Sequence, residues 1–231
     1  MLHEALHRSP VCLLMPGSDT LPAHHWMPIW SRERPECELV ELGSRHDPIR
    51  NVWITRIDQA VGAAGAPAVI VAHDIACLAL VWWASMLGED AAGPVCGALL
   101  VAPPDVNRVS ATASHSRFAP RPRQLLPFPS ILVASAGDPY AAIERSQEMA
   151  RDWGAAFVAT DVDGHIDAHA RMGAWEDGQA LLDILLDTTL AAEQTPRARP
   201  VSDRVRLPAR LASHRQGGSL RHDHAVQPAR G

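Results

Sequence analysis

Lysine is absent from this 231-residue sequence, so its basic side chains other than histidine are all arginines. No run of eighteen or more apolar residues occurs, which leaves no obvious membrane-spanning helix in the sequence. The N-terminal stretch MLHEALHRSP lacks the basic start and the long apolar core of a signal peptide. We therefore predict one globular domain, located in the cytoplasm and without a membrane partner.

Cysteine is scarce, and its four occurrences show no CxxC spacing. Cys12, Cys77 and Cys96 lie in apolar runs, so they and Cys37 are predicted to be reduced thiols rather than disulfides or metal ligands. A phosphate-binding loop is also missing, because VGAAGAP has neither the lysine nor the spacing of such motifs. We expect no cofactor.

Charge is unevenly distributed along the chain. Residues 194–231 hold eight arginines and two aspartates and carry +6, whereas residues 1–193 carry −11, within a net charge of −5. The prolines and the Gly-Gly pair near the C-terminus predict a disordered tail over 193–231, after a domain at 11–192 and an N-terminal extension at 1–10. Arginines without interleaved aromatic residues attract nucleic acid only nonspecifically, so we expect no nucleic-acid partner.

Apolar runs and helix-length stretches of mixed polarity alternate through the domain. Each apolar run is too short for a typical helix and predicts a strand. The alternation predicts an α/β fold with a mostly parallel sheet of about six strands and helices on both faces. The predicted strands are 11–15, 38–42, 68–72, 95–102, 130–135 and 156–162, and the predicted helices are 22–34, 48–64, 75–87, 139–153 and 176–192.

Polar residues follow several of these strands, where parallel sheets place their sites. HDIAC follows the third strand, AGDPY the fifth and DGHIDAH the sixth. This order of elbow residue, acid and histidine is that of the α/β-hydrolases, in which a nucleophile on a strand-to-helix turn is served by a histidine base and an orienting acid. The corresponding positions are Asp74, Asp138 and His165.

Several blocks in order resemble the YdeN or retinoblastoma-binding-protein-nine family of small cap-less serine hydrolases. They are LLMPGSDTLPAHHWMPIW, GALLVAPPDV, FAPRPRQLLPFPSILVASAGDPY, WGA, DGHIDA and GAWEDG, and the resemblance runs from about residue 11 to about residue 190. It implies a compact α/β-hydrolase fold, a Ser-Asp-His triad and hydrolysis of small, hydrophobic, ester-like acyl substrates.

The resemblance also implies a role for particular residues of this chain. Asp138 corresponds to the orienting acid and His165 to the base. The backbone amides of Ser18 and Ile75 correspond to the oxyanion hole.

Three aromatic residues are further implied to line the site. His25 and Trp26 correspond to a His-Trp pair at its floor, and Trp175 to a pocket residue. The pair His165 and His169 in HIDAH also has the spacing of metal ligands. Because the resemblance already assigns His165 as the base, we expect no metal.

The elbow departs from the family pattern. The family sequence resembles H-S-L-G-C, whereas this chain reads His73-Asp74-Ile75-Ala76-Cys77. A carboxylate has no hydroxyl proton to pass to His165, so serine-type acyl transfer through Asp74 is not expected. Asp19, near the implied oxyanion hole, would repel an anionic intermediate. The sequence therefore predicts a silent or impaired hydrolase.

Three alternatives remain open. Haloalkane dehalogenases and epoxide hydrolases use an aspartate nucleophile in a stretch that HDIA partly resembles, and His165 would then activate the hydrolytic water. Some hydrolysis could instead use water activated by His165 without a covalent step. In the noncatalytic alternative the domain binds a ligand or a protein partner, while Asp74 is held by the oxyanion-hole amides and His165.

Overall fold

The computed structural model describes residues 10–18, 20–108 and 110–193. The predicted N-terminal extension, apart from Pro10, and the predicted tail, apart from Glu193, lie outside the described residues, as does Asp19. The six strands form one sheet in the order β2-β1-β3-β4-β5-β6, and every neighbouring pair is parallel. They are β1 (Val11–Met15), β2 (Cys37–Leu39), β3 (Ala68–His73), β4 (Val95–Val101), β5 (Ser130–Ser135) and β6 (Ala156–Thr160). The predicted fold class is confirmed.

Helices connect the strands and follow the predicted pattern, with three differences at their N-termini. The helices predicted from residues 22, 48 and 139 begin at Trp26, Arg50 and Ile143, and turns or bends precede the first and the last of these. A short helix between β4 and β5 was not predicted. The helices are α1 (Trp26–Glu33), α2 (Arg50–Ala63), α3 (Ile75–Leu87), α4 (Ala113–Ser116), α5 (Ile143–Trp153) and α6 (Glu176–Glu193).

The sheet is buried on both faces by two separate hydrophobic cores. On one face Ile70 and Ala72 of β3 pack with α2, α3 and α5. On the other face Val69 and Val71 pack with α1 and α6. Alternate side chains of a strand point to opposite faces, so β3 is apolar at every one of these positions.

The segment Ile75–Ala92 is the one helical stretch among the described residues that is long and apolar enough to cross a membrane. More than half of it is buried inside the protein. Its apolar composition is explained by the packing of α3 in the core beside α2.

Candidate active site

Asp74 occupies a sharp turn between β3 and α3. Its backbone has φ 51° and ψ −128°, a strained conformation for a residue other than glycine. Two backbone hydrogen bonds fix the turn: the amide of Asp74 donates to the carbonyl of Val101 at 2.9 Å, and the amide of Cys77 donates to the carbonyl of Asp74 at 3.1 Å. Ile75, predicted to supply an oxyanion-hole amide, is the first residue of α3. The geometry is that of a strand-to-helix elbow.

The side chain of Asp74 is held by the loop that follows β1. Its Oδ2 accepts hydrogen bonds from the amide of Ser18 at 2.9 Å and from the hydroxyl of Ser18 at 2.7 Å. Its Oδ1 lies 3.4 Å from Nε2 of His115, within ion-pair distance of a protonated imidazole. The carboxylate is buried, with 1% of the side chain exposed. The Ser18 amide, predicted to bind an oxyanion, thus binds Asp74.

Gly17 allows this close approach of the loop to the elbow. A Cβ on Gly17 would lie 2.5 Å from Cβ of Asp74 and 2.8 Å from the backbone carbonyl oxygen of His73. Any side chain at this position would therefore push the loop away from the elbow. Because Gly17 has no side chain, Ser18 can come close enough to hydrogen-bond to Asp74.

Asp138 and His165 form a buried pair at the ends of β5 and β6. Nδ1 of His165 lies 2.8 Å from Oδ2 of Asp138, and Oδ1 of Asp138 accepts the amide of Tyr140 at 2.8 Å. An ionised carboxylate only accepts hydrogen bonds, so the proton of neutral His165 is placed on Nδ1. Nε2 is then the nitrogen that can take up a proton, as a general base does.

The electrostatic environment of Asp74 favours its ionised form. Burial alone would raise the pKa of Asp74, but the contact and charge of His115, and the charges that His165 and His73 carry when protonated, outweigh it. The resulting pKa of Asp74 lies below its ordinary value. Burial, followed by the charges of His165 and His25, lowers the pKa of His73 far below its usual range. At neutral pH the elbow therefore combines a charged Asp74 with a neutral His73.

Imidazole and phenol rings surround the elbow. The ring of Tyr140 meets His165 edge-on, with centroids 5.0 Å apart, and meets His115 edge-on at 5.2 Å. The His73 ring lies 5.1 Å from the His165 ring. Tyr140 thus lies between the two histidines that accompany Asp138 and Asp74.

The three predicted aromatic lining residues lie together beneath the His165 loop. His25 caps α1 by accepting the amide of Met27 at Nδ1, and its ring stacks on Trp26. The indole N–H of Trp26 donates to the carbonyl of Ile166 at 3.1 Å, and Trp175 meets Trp26 edge-on at 5.0 Å. Burial lowers the pKa of His25 to about 4. These residues support the segment that carries His165.

In the described parts of the chain, no three His, Cys, Asp or Glu side chains cluster as ligands of a metal ion would. His169, whose spacing from His165 had the form of a ligand pair, is exposed and hydrogen-bonds to Asp167. The four cysteines are free thiols, of which only Cys96 is partly exposed.

His115 is the site residue that sequence reasoning missed. It lies on the four-residue helix α4, where the hydroxyl of Thr112 caps its amide at 3.2 Å. It contacts Asp74 from 41 positions further along the chain, outside every motif. A threonine three residues before it is a cap signal for α4 but carries no information on the contact with Asp74.

Comparisons with known proteins identify the family and the fold of this chain. A family model described as "Serine hydrolase" matches residues 12–184. A YdeN-like hydrolase from Pectobacterium atrosepticum superposes with a TM-score of 0.68 at 23% identity, covering 78% of this chain and 92% of that one. No curated protein matches the sequence significantly.

Two further solved structures share the fold at lower identity. Est1E from Butyrivibrio proteoclasticus gives a TM-score of 0.57 at 14% identity, over 80% of this chain and 89% of that one, and it has also been solved with ferulic acid bound. A monoacylglycerol lipase from Paleococcus ferrophilus gives 0.55 at 9% identity, over 78% and 96%.

Proposed function

This chain belongs to the serine hydrolase family, and from the contacts at its elbow we propose that it is a catalytically silent member, which binds an ester-like ligand without hydrolysing it. In this proposal Asp74 stands where the family places its nucleophilic serine. Asp138 and His165 keep the places of the orienting acid and the base.

The observation that carries this proposal is the double hydrogen bond between Ser18 and Oδ2 of Asp74. Ester hydrolysis needs free donors at the position where the negative oxygen of the tetrahedral intermediate develops. Here the protein's own carboxylate engages the Ser18 donors. Its negative charge also opposes a second anion at the same place.

The chemistry of a carboxylate supports the same conclusion. A serine nucleophile gives up its proton to the histidine as it attacks, whereas ionised Asp74 has no proton to give. Attack of Asp74 on an ester carbonyl would form an acid anhydride, which is less stable than the ester and readily reverts. His165 then has no productive proton transfer to perform.

The proposed ligand is a small, hydrophobic, ester-like molecule. Support comes from family membership and from the half-buried ring of Tyr140 beside His165. Ferulic acid, which is bound to Est1E in a solved structure, is an aromatic carboxylic acid and so the acid component of esters of this kind. A protein that docks on the same domain is the other binding partner consistent with a silent site.

A second candidate is a hydrolase that uses Asp74 as its nucleophile, and it is favoured by Oδ1, which lies 3.4 Å from Nε2 of His115 but has no hydrogen-bond partner among the described residues. With Oδ2 held by Ser18, Oδ1 would attack a saturated carbon, expel a halide or oxygen leaving group and form an alkyl ester of Asp74. Water activated by His165 would then cleave that ester at its carbonyl, releasing an alcohol and restoring the carboxylate.

The test compares the parent protein with Asp74→Ser, using fluorophosphonate labelling and p-nitrophenyl ester hydrolysis. The proposal expects neither reaction in the parent and both in Asp74→Ser. The control Asp74→Ser with His165→Gln should lose both, because the serine then has no base. Labelling of the parent would contradict the loss of serine chemistry.

The ligand and the second candidate need separate measurements. An alkyl ester of ferulic acid should quench the tryptophan fluorescence of the parent saturably and be recovered intact.

For an aspartate nucleophile, turnover of an alkyl halide or epoxide in ¹⁸O-water should place ¹⁸O in the Asp74 carboxylate. Turnover without such label would exclude that candidate.

A further inference from the structure

The connection between β4 and β5 carries an imidazole into the elbow. Residues 102–129 form this connection, and within it α4 presents His115 to Asp74. The side chain of His115 is 5% exposed and that of Asp74 is 1% exposed, so the contact is shielded from solvent. A contact between two buried ionisable groups is much less screened than one at the surface.

The site therefore contains two carboxylate–imidazole pairs. The first pair is Asp138 with His165 at 2.8 Å, and the second is Asp74 with His115 at 3.4 Å. The ring of Tyr140 separates the two imidazoles and meets each of them edge-on. The resemblance to the hydrolase family accounts for the first pair only.

We infer that His115 is a positioning residue for Asp74, whose imidazole acts together with the amide and hydroxyl of Ser18 to fix both carboxylate oxygens inside the elbow. Ser18 engages Oδ2 alone, and Oδ1 is buried without a hydrogen-bond partner among the described residues, so the imidazole of His115, 3.4 Å away, supplies the ion-pair contact with this second oxygen. This inference rests on the proposed function, because an Asp74 carboxylate that is held in place keeps the amide and the hydroxyl of Ser18 hydrogen-bonded to it.

The other groups that face Asp74 do not replace His115. His73, from β3, lies in a buried setting that keeps it neutral, and His165, from the loop after β6, is paired with Asp138. The thiol of Cys77, from α3, donates to the carbonyls of Ala72 and Val101. Among these groups His115 exerts the largest effect that lowers the pKa of Asp74.

The inference also explains how the elbow holds a buried charge. Taking an isolated carboxylate out of water is costly unless it is paired and hydrogen-bonded. Two donors on Oδ2 and an imidazole at Oδ1 supply that pairing. An aspartate at position 74 and a histidine at position 115 are therefore parts of one arrangement.

The experiment follows the Cγ resonance of Asp74 by ¹³C NMR through an acid titration of the whole chain. The resonance is identified by its loss in Asp74→Asn. His115→Gln, which keeps a polar side chain but cannot be charged, should raise the pKa of Asp74 by at least about one unit, a tenfold change in proton affinity. His115→Leu, which also removes the polar group, should raise it further.

His46→Gln is the matched control, since His46 is exposed and outside the site. It should leave the Asp74 titration unchanged, and circular dichroism reports whether each variant is folded. An Asp74 resonance that titrates identically in the parent and in either folded His115 variant would overturn the inference. The readout needs no turnover, so a parent found to be an active hydrolase would defeat the proposed function while leaving this result interpretable.

Discussion

Ser18 and Asp74 are joined by two hydrogen bonds that end on the same oxygen. The amide and the hydroxyl of Ser18 both donate to Oδ2, at 2.9 Å and 2.7 Å. Hydrogen bonds to a charged group are stronger than neutral ones, and a buried charge that loses a donor is costly. The stability of the fold and the state of the site therefore depend on the same contact.

Ser18→Ala removes the hydroxyl donor and leaves the amide donor in place. We expect the free energy of unfolding to fall by about 1–3 kcal/mol, because the Asp74 carboxylate stays buried with one bond fewer. Denaturant unfolding at neutral pH measures the change. Ser44→Ala is the control, since the exposed Ser44 hydroxyl only accepts a turn amide, and a loss of equal size in both variants would contradict the prediction.

Gly17→Ala tests the close packing of the loop on the elbow. The new Cβ would meet Cβ of Asp74 and the carbonyl of His73, so the backbone must move at a cost of about 2–3 kcal/mol. Gly62→Ala is a control of opposite sign, because a Cβ at Gly62 in α2 meets nothing within 4 Å. That variant should gain about 0.5 kcal/mol. Equal unfolding midpoints for the two variants would refute the packing argument.

The lowered pKa of His25 predicts that the protein loses stability in mild acid. Its pKa is about 4 in the folded protein and about 6.5 in the unfolded chain, so between these values only the unfolded chain takes up the proton. The stabilisation of the folded state by neutral His25 is therefore complete above about pH 6.5. It is lost as the pH falls toward 4, at up to about 1.4 kcal/mol per pH unit.

His25→Asn keeps an oxygen that can cap α1 but cannot be protonated in this range. Denaturant unfolding at several pH values should give a flatter dependence on pH for His25→Asn than for the parent. The exposed His46→Asn should keep the parental slope. If the free energies of unfolding of the parent and of His25→Asn differ by the same amount at every pH, the substitution removes only packing contacts and the prediction is wrong.

Trp26→Phe removes the indole N–H that holds the carbonyl of Ile166 beside His165. In an Asp74→Ser background we expect kcat/KM for a p-nitrophenyl ester to fall about tenfold, because a displaced base loses alignment with the nucleophile. Trp153→Phe loses an equivalent bond to Pro122 on the opposite core. It should cost similar stability, about 1 kcal/mol, and leave kcat/KM unchanged. If Trp26→Phe and Trp153→Phe lower kcat/KM by the same factor, Trp26 does not position His165.

Strand positions were predictable where local sequence is unambiguous. The apolar run Val11–Met15 is bounded by Pro10 and Pro16, and the strand has those limits. At the sheet edge the prediction was less accurate: the run 38–42 forms only the strand Cys37–Leu39, which pairs with β1 alone. Pairing with a neighbour, which the sequence does not display, decides where an edge strand ends.

The residues of the candidate site also differ in how far the sequence predicts their contacts. Asp138 and His165 were found from short blocks beside the strand ends, and the structure places them within hydrogen-bond distance. The sequence suggested that His165 would accompany Asp74, whereas the imidazole in ion-pair contact with it is His115. That contact depends on the path of a long connection over the sheet, and no periodicity or motif encodes such a path.

The strained backbone at position 74 has a consequence for protein engineering. The cost of φ 51° and ψ −128° falls on any residue with a Cβ, so serine, aspartate and asparagine incur nearly the same penalty there. We expect exchange of these side chains to keep the cost of the turn nearly constant and to alter the groups that meet Ser18 and His115. Position 74 therefore offers a place where the chemistry of the elbow can be changed without redesigning the backbone around it.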